Sequence, residues 1–114
     1  MTYSVIIPCY QESEEDFRMC LDHIKNQTRQ ADEVIVINDC GNKELGDIVK
    51  EYGFKYIYSE VNLNNGGARN IGIREATSDY LIFCNADDYF HTSTIEEIEK
   101  VNQGQDLILL GIRS

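Results

Sequence analysis

The chain has 114 residues, of which 42% are hydrophobic and 26% are charged, which is typical of one small globular domain. Its 10 Lys and Arg residues against 20 Asp and Glu residues give a formal net charge of −10 and argue against binding to nucleic acid or anionic lipid. No apolar run is long enough to cross a bilayer, and residues 1–8 lack the pattern of a signal peptide. We therefore expect a cytoplasmic protein without a membrane span in this segment.

Strands and helices alternate in the predicted secondary structure. Short apolar runs rich in β-branched residues predict strands at Tyr3–Ile7, Glu33–Asn38, Tyr56–Ser59, Tyr80–Cys84 and Asp106–Leu110. Helices are predicted at Glu14–Asn26, Lys43–Tyr52, Ala68–Ala76 and Thr94–Asn102. Pro8 is predicted to stop the first strand, because it cannot donate to the ladder, and Asn62–Gly67 is predicted to be a loop. The order β-α-β-α-β-α-β-α-β predicts an α/β fold with a mostly parallel sheet and helices on both faces.

The four cysteines show no pattern of a metal site. Cys9, Cys20, Cys40 and Cys84 form no C-x-x-C pair, and neither histidine stands at zinc-ligand spacing from them. We interpret them as reduced, buried thiols of a cytosolic protein rather than as disulfides or metal ligands.

Three short polar segments follow the most apolar strands. They are Cys9–Glu12, Asp39–Asn42 and Asn85–Asp88. Because the strands of a parallel sheet point the same way, these segments are expected to meet at one edge, where ligands bind. Tyr10 is suited to stacking on a ring or to covering the sheet edge. Asp39 is suited to accepting a hydrogen bond from a ligand N–H or to capping the next turn.

Two further features point to phosphate chemistry, each with an ordinary alternative. Adjacent carboxylates at Asp87 and Asp88 repel unless a cation lies near, and such oxygen ligands suit Mg²⁺ or Mn²⁺, but an acidic turn is equally compatible. Asn64–Gly67 leads into a helix that carries Arg69, and glycine-rich helix starts can approach phosphates closely. Taken alone, that segment is better explained by a plain turn and helix start, since it matches neither the G-x-G-x-x-G nor the P-loop pattern.

Five short segments occur together in a familiar order. They are Ser4–Tyr10, Gln27-Thr28, Glu33–Asp39, Asn65–Ile73 and Tyr80–Asp88. Together they resemble the nucleotide-sugar-binding half of a family 2 glycosyltransferase with the Rossmann-like GT-A fold, over almost the whole chain. The resemblance implies an inverting transfer of sugar from a nucleotide-diphospho sugar, with a UDP-sugar as the expected donor, to an acceptor hydroxyl in polysaccharide or glycoconjugate synthesis.

The resemblance also implies which residues bind the nucleotide. Pro8 and Tyr10 match the segment that contacts the nucleoside base, and Glu12 belongs to the same predicted nucleotide-binding set. Asp39 matches the carboxylate that accepts a hydrogen bond from the uracil N–H. Arg69 matches a residue near the nucleotide.

The expected metal ligands are Asp87, Asp88 and Asn85. Asp87 matches the last Asp of the D-x-D motif, which binds a divalent cation, Mg²⁺ or Mn²⁺, that bridges the diphosphate. Such a cation stabilises the charge on the departing nucleoside diphosphate. Asn85 stands where the motif has its first Asp, and Gln11 stands where the family usually has Asn. The amide of Asn85 contributes no charge.

The family pattern continues past Ser114 into an acceptor-binding half. That half supplies the general base, which nothing after Asp88 resembles. We therefore expect residues 1–114 to be a single nucleotide-sugar-binding domain, truncated before the half that binds a glycan or lipid-linked glycan. In the full-length protein we expect it at the cytoplasmic membrane face.

Two alternatives stay open. One is a noncatalytic nucleotide-binding module. The other is a domain similar to sugar-nucleotide pyrophosphorylases, which would need a loop rich in glycine and arginine where this chain has Pro8–Glu12. A dinucleotide oxidoreductase fits less well still, since no glycine fingerprint follows the first strand.

Overall fold

The computed structural model describes residues 1–101, apart from the side chains of Asn64 and Asn65. The strands are β1 (Tyr3–Cys9), β2 (Glu33–Asp39), β3 (Lys55–Ser59) and β4 (Tyr80–Phe83), and the helices are α1 (Glu14–Lys25), α2 (Glu44–Tyr52), α3 (Asn64–Glu75) and α4 (Thr94–Val101). The predicted strand Asp106–Leu110 lies outside the described residues. None of the helices in residues 1–101 has the length and hydrophobicity needed to span a membrane.

The sheet is parallel and has the strand order β3-β2-β1-β4. Successive strands β1, β2 and β3 are added in one direction, and β4 then pairs on the other side of β1. The strand order therefore reverses between β1 and β4. In open α/β sheets this reversal opens a crevice at the carboxyl ends of the strands, where ligands bind.

Helices cover both faces of the sheet, as predicted. Val5 and Ile7 of β1 share a buried cluster with Phe17 of α1, Val49 of α2 and Ile95 of α4. The opposite face has its own cluster, which comprises Ile6, Ile35, Ile37, Phe83 and, from α3, Ala68. Since neighbouring β1 residues belong to different clusters, both faces of this strand are buried, which explains its unbroken apolar run.

Strand β1 continues through Pro8, so the prediction that Pro8 stops it is wrong. The carbonyl of Ile6 accepts a hydrogen bond from the Cys84 N–H at 3.0 Å, so the backbone groups of Ile6 point toward β4. Pro8 is two residues further along β1, so its backbone groups also point toward β4. The pairing with β4 ends where Phe83 lies opposite Ile6, so the ladder requires no N–H from Pro8.

Helix α3 begins at Asn64, four residues before its predicted start, and part of the predicted loop Asn62–Gly67 is therefore helical. Asn and Gly are poor helix formers, which explains the error. A long-range bond fixes this start: the N–H of Leu63 donates to Oδ1 of Asp39 at 2.6 Å. Gly66 has a φ of 88°, a conformation that glycine adopts without strain.

Gly72 lets α3 lie close to the sheet. A Cβ at this position would overlap Cγ2 of Ile6 and lie 3.2 Å from Cδ1 of Ile37, both in the buried core. We expect Gly72→Ala to lower the free energy of unfolding, because overpacking costs about 1–3 kcal/mol and exceeds the helix-propensity gain of about 1 kcal/mol. Urea denaturation measures the difference. Asn70→Ala, at an exposed position of the same helix, is the control, and equal stability of the two variants would contradict this close packing.

Candidate functional site

A cavity of about 490 Å³ lies at the carboxyl ends of β1, β2 and β4, where the strand order reverses. It brings together all the predicted site residues except Asp88, namely Pro8, Tyr10, Glu12, Asp39, Arg69, Asn85 and Asp87. Its lining also includes Cys9, Gly66, Ala68 and Ala86. Residues that are far apart in sequence thus share one concave surface, as the parallel arrangement of strands predicts.

Tyr10 follows β1 and is held through its backbone. Its N–H donates to Oε1 of Glu12 at 2.7 Å, and its carbonyl accepts from the Asn42 N–H at 2.8 Å. A Cβ on Gly41 would overlap this carbonyl, so glycine permits the segments after β1 and β2 to touch. The Tyr10 side chain is 43% exposed and lines the cavity, where it can stack against a planar ring.

Asn38 organises the turn after β2, a role that the sequence motifs do not predict. It is fully buried, and its Oδ1 accepts from the Gly41 N–H at 2.8 Å. Its Nδ2 donates to the carbonyl of Asn42 at 2.8 Å and to the hydroxyl of Tyr56 at 3.1 Å. One feature of the sequence could have indicated this role: Asn38 directly follows the apolar run Val34–Ile37. An amide buried at the end of such a strand is expected to be hydrogen-bonded.

Asp39 is half-buried, and its orientation is fixed by the start of α3. Oδ1 of Asp39 accepts the hydrogen bond from the Leu63 N–H. This bond joins the end of β2 to the start of α3, the segment that carries Gly66. The capping role considered for Asp39 is thus present, but toward α3 rather than toward the next turn. Asp39 also lines the cavity, so one carboxylate contacts both α3 and the ligand space.

The turn after β4 separates the three predicted metal ligands. The Asp88 N–H donates to the carbonyl of Asn85 at 3.0 Å and closes the turn. Asp87 is exposed and lines the cavity together with Asn85. Asp88 is only 5% exposed and does not line it, although its Oδ2 lies 3.4 Å from Nδ2 of Asn85.

The cavity lining is acidic. Its charged residues are three carboxylates, Glu12, Asp39 and Asp87, and one guanidinium, Arg69. An anionic ligand such as a diphosphate would bind more weakly here without an accompanying cation. The charge of the lining therefore favours a cation together with the ligand.

The donor set fits a metal that is completed by ligand oxygens. Within residues 1–101, no cluster of three or more His, Cys, Asp or Glu side chains is arranged to enclose a metal. Mg²⁺ is usually held by one or two carboxylates and by substrate phosphates rather than by a protein cage. Asp87 matches that partial set, whereas the amide oxygen of Asn85 accepts a hydrogen bond from Nη2 of Arg69 at 3.4 Å.

Three thiols lie beneath this edge of the sheet. Cys9, Cys20 and Cys84 are buried, whereas Cys40 is partly exposed, and all four are free. Burial raises the pKa of the Cys9 thiol above its ordinary value. The pKa of the Cys84 thiol is raised as well, mainly by its hydrogen bond with Cys20 and next by burial. These two thiols therefore stay protonated at neutral pH and are poor metal ligands and poor nucleophiles.

Comparison with known proteins gives the family. The family model described as "Glycosyl transferase family 2" matches residues 4–113. The chain belongs to glycosyl transferase family 2. The resemblance identified from the five sequence segments is thereby confirmed.

The curated relatives of this family 2 chain are longer bacterial glycosyltransferases. It is 35% identical over 108 residues to the uncharacterized glycosyltransferase YibD of Escherichia coli strain K12, with 91% of this chain and 31% of YibD covered. It is 33% identical over 104 residues to the amylovoran biosynthesis glycosyltransferase AmsB of Erwinia amylovora, with 85% of this chain and 34% of AmsB covered. The chain thus spans about a third of the length of these relatives.

Solved structures with the same fold include TarS of S. aureus. The complex of TarS 1-349 with UDP superposes with a TM-score of 0.80 at 28% identity, and covers 88% of this chain and 31% of that one. The complex with UDP-GlcNAc gives a TM-score of 0.79 at 28% identity, with 88% and 30% covered. This likeness confirms the predicted Rossmann-like α/β fold.

Proposed function

We propose that this chain is the donor-binding part of a metal-dependent, inverting glycosyltransferase. The protein would transfer sugar from a UDP-sugar to an acceptor hydroxyl in polysaccharide or glycoconjugate synthesis. The observation that carries the proposal is that Tyr10, Asp39 and Asp87, which stand at the carboxyl ends of three different strands, line one cavity. The TarS complexes with UDP and UDP-GlcNAc support the choice of donor.

The nucleoside part of the cavity is formed at the ends of β1 and β2. Tyr10 offers an aromatic ring for stacking, and Pro8 adds an apolar contact beside it. Asp39 has a carboxylate of fixed orientation, which can accept a hydrogen bond from the ring N–H of uracil. Glu12 holds the backbone of Tyr10 and contributes the remaining carboxylate on this side.

The diphosphate part lies between α3 and the turn after β4. Arg69 is the one positively charged residue of the cavity lining. Of the three expected metal ligands, Asn85, Asp87 and Asp88, only Asn85 and Asp87 line the cavity, so the proposed site for Mg²⁺ or Mn²⁺ is centred on Asp87. When bound, such a cation stabilises the negative charge that develops on the diphosphate as the sugar leaves. Because Asp87 is the exposed carboxylate of the three residues, it carries the main metal-binding role.

Sugar transfer itself belongs to a longer protein in this proposal. The relatives are about three times as long as the matched region. We assign to residues 1–114 a single nucleotide-sugar-binding domain. The general base and the site for a glycan or lipid-linked glycan acceptor are placed elsewhere in that protein. A cytoplasmic location, with the free thiols as support, is part of the same proposal.

Calorimetric titration with a panel of nucleotides tests the proposal. UDP and UDP-sugars are expected to bind more tightly than the guanosine and adenosine counterparts, and Mn²⁺ is expected to increase their affinity. The melting temperature should rise more with UDP and Mn²⁺ than with UDP in EDTA. Absence of nucleotide binding would refute the donor-binding role, and equal thermal shifts in Mn²⁺ and EDTA would refute the metal role.

A further inference from the structure

A chain of polar contacts joins Arg69, Asn85 and Asp88 beside the diphosphate part of the cavity. Nη2 of Arg69 donates to Oδ1 of Asn85 at 3.4 Å, and Nδ2 of Asn85 donates to Oδ2 of Asp88 at 3.4 Å. The guanidinium also lies over the ring of Phe83, 5.6 Å from its centroid. Arg69 is therefore contacted on its edge by an amide and on its plane by an aromatic ring, while it remains exposed in the cavity.

The amide of Asn85 satisfies both of its neighbours, whereas a carboxylate at this position would not. A guanidinium has donors alone and an ionised carboxylate has acceptors alone, so the side chain between them must accept on one side and donate on the other. A carboxylate at this position would face the buried Asp88 with like charge. It would also pair with Arg69 and neutralise the one positive charge of the cavity lining.

We propose that Asn85 is a positioning residue that holds Arg69 as a diphosphate ligand and leaves its charge unneutralised. This inference rests on the proposed function, because it concerns the same diphosphate. With Arg69 held in this way, the diphosphate meets a second positive group in addition to the metal. UDP binding is therefore reduced, but not abolished, when divalent cations are removed.

Asn85→Asp tests this role through the metal dependence of binding. UDP affinity in EDTA is expected to fall about tenfold or more, the size expected for the loss of one hydrogen bond to a charged group. In Mn²⁺ the affinity should change much less, because an added carboxylate next to Asp87 also favours the cation. The ratio of the UDP dissociation constants in EDTA and Mn²⁺, measured by calorimetry, should therefore rise about tenfold.

Two controls separate positioning from charge and from folding. Asn70→Asp places the same added charge at an exposed position of α3 and should leave the ratio unchanged. Uridine has no diphosphate, so its affinity should be the same in Asn85→Asp as in the wild type, which also shows that the variant is folded.

A double-mutant cycle with Arg69→Gln shows whether Asn85 acts through Arg69. Arg69→Gln alone should lower UDP affinity in EDTA by a similar factor, and adding Asn85→Asp to it should lower the affinity little further. Additive losses, or an unchanged ratio in Asn85→Asp, would overturn the inference while leaving the proposed function intact. If Asn85→Asp does not fold, Asn85→Leu in the same cycle removes the acceptor for Arg69 without adding charge, and a smaller loss of UDP affinity in EDTA, absent in the Arg69→Gln background, is expected. Failure of the wild type to bind UDP in either condition would overturn both proposals.

Discussion

Replacing Asp39 with Asn is expected to weaken uridine binding by roughly tenfold to a hundredfold, equally in Mn²⁺ and in EDTA. The uracil ring presents an N–H, and an ionised carboxylate is the matching acceptor. The amide of Asn can still accept from the Leu63 N–H through its oxygen, and it then turns its NH₂ group toward the base. A donor would face a donor, and the loss corresponds to one hydrogen bond to a charged group, about 1.5–3 kcal/mol.

The same variant should change base preference. Cytosine has an acceptor at the ring nitrogen where uracil has a donor, so the new NH₂ group favours cytidine relative to uridine. Calorimetric titration with both nucleosides measures the ratio. Asp47→Asn, which makes the same change at an exposed position of α2, should leave both affinities as in the wild type. An unaltered uridine-to-cytidine ratio in Asp39→Asn would show that Asp39 does not contact the base edge.

The sheet and the position of the site could be predicted because both depend on local patterns. Runs such as Val34–Ile37 favour strands buried on both faces, and a parallel sheet gathers the segments that follow its strands. That reasoning places Tyr10, Asp39 and Asp87 at one edge, and in the structure all three line one cavity. The likeness to TarS supports the same fold.

The features that could not be predicted depend on tertiary contacts. The early start of α3 depends on a bond between Leu63 and Asp39, which are 24 positions apart. The continuation of β1 through Pro8 depends on the point at which β4 ends. The difference in burial between Asp87 and Asp88 could not be predicted either, since alternation and spacing do not show that Asp88 is buried and Asp87 is exposed.

Asp87→Asn is expected to remove most of the gain in UDP affinity that Mn²⁺ provides, a loss of up to several kcal/mol. Asp87 is the exposed carboxylate of the turn after β4, and an amide there keeps the shape but loses the charge that attracts the cation. Uridine affinity should be unchanged, because Tyr10 and Asp39 lie at the ends of other strands. Asp79→Asn, in the turn before β4, is the matched control and should bind UDP with the full response to Mn²⁺. If Asp87→Asn keeps the wild-type response of both UDP affinity and melting temperature to Mn²⁺, the cation is not held by this turn.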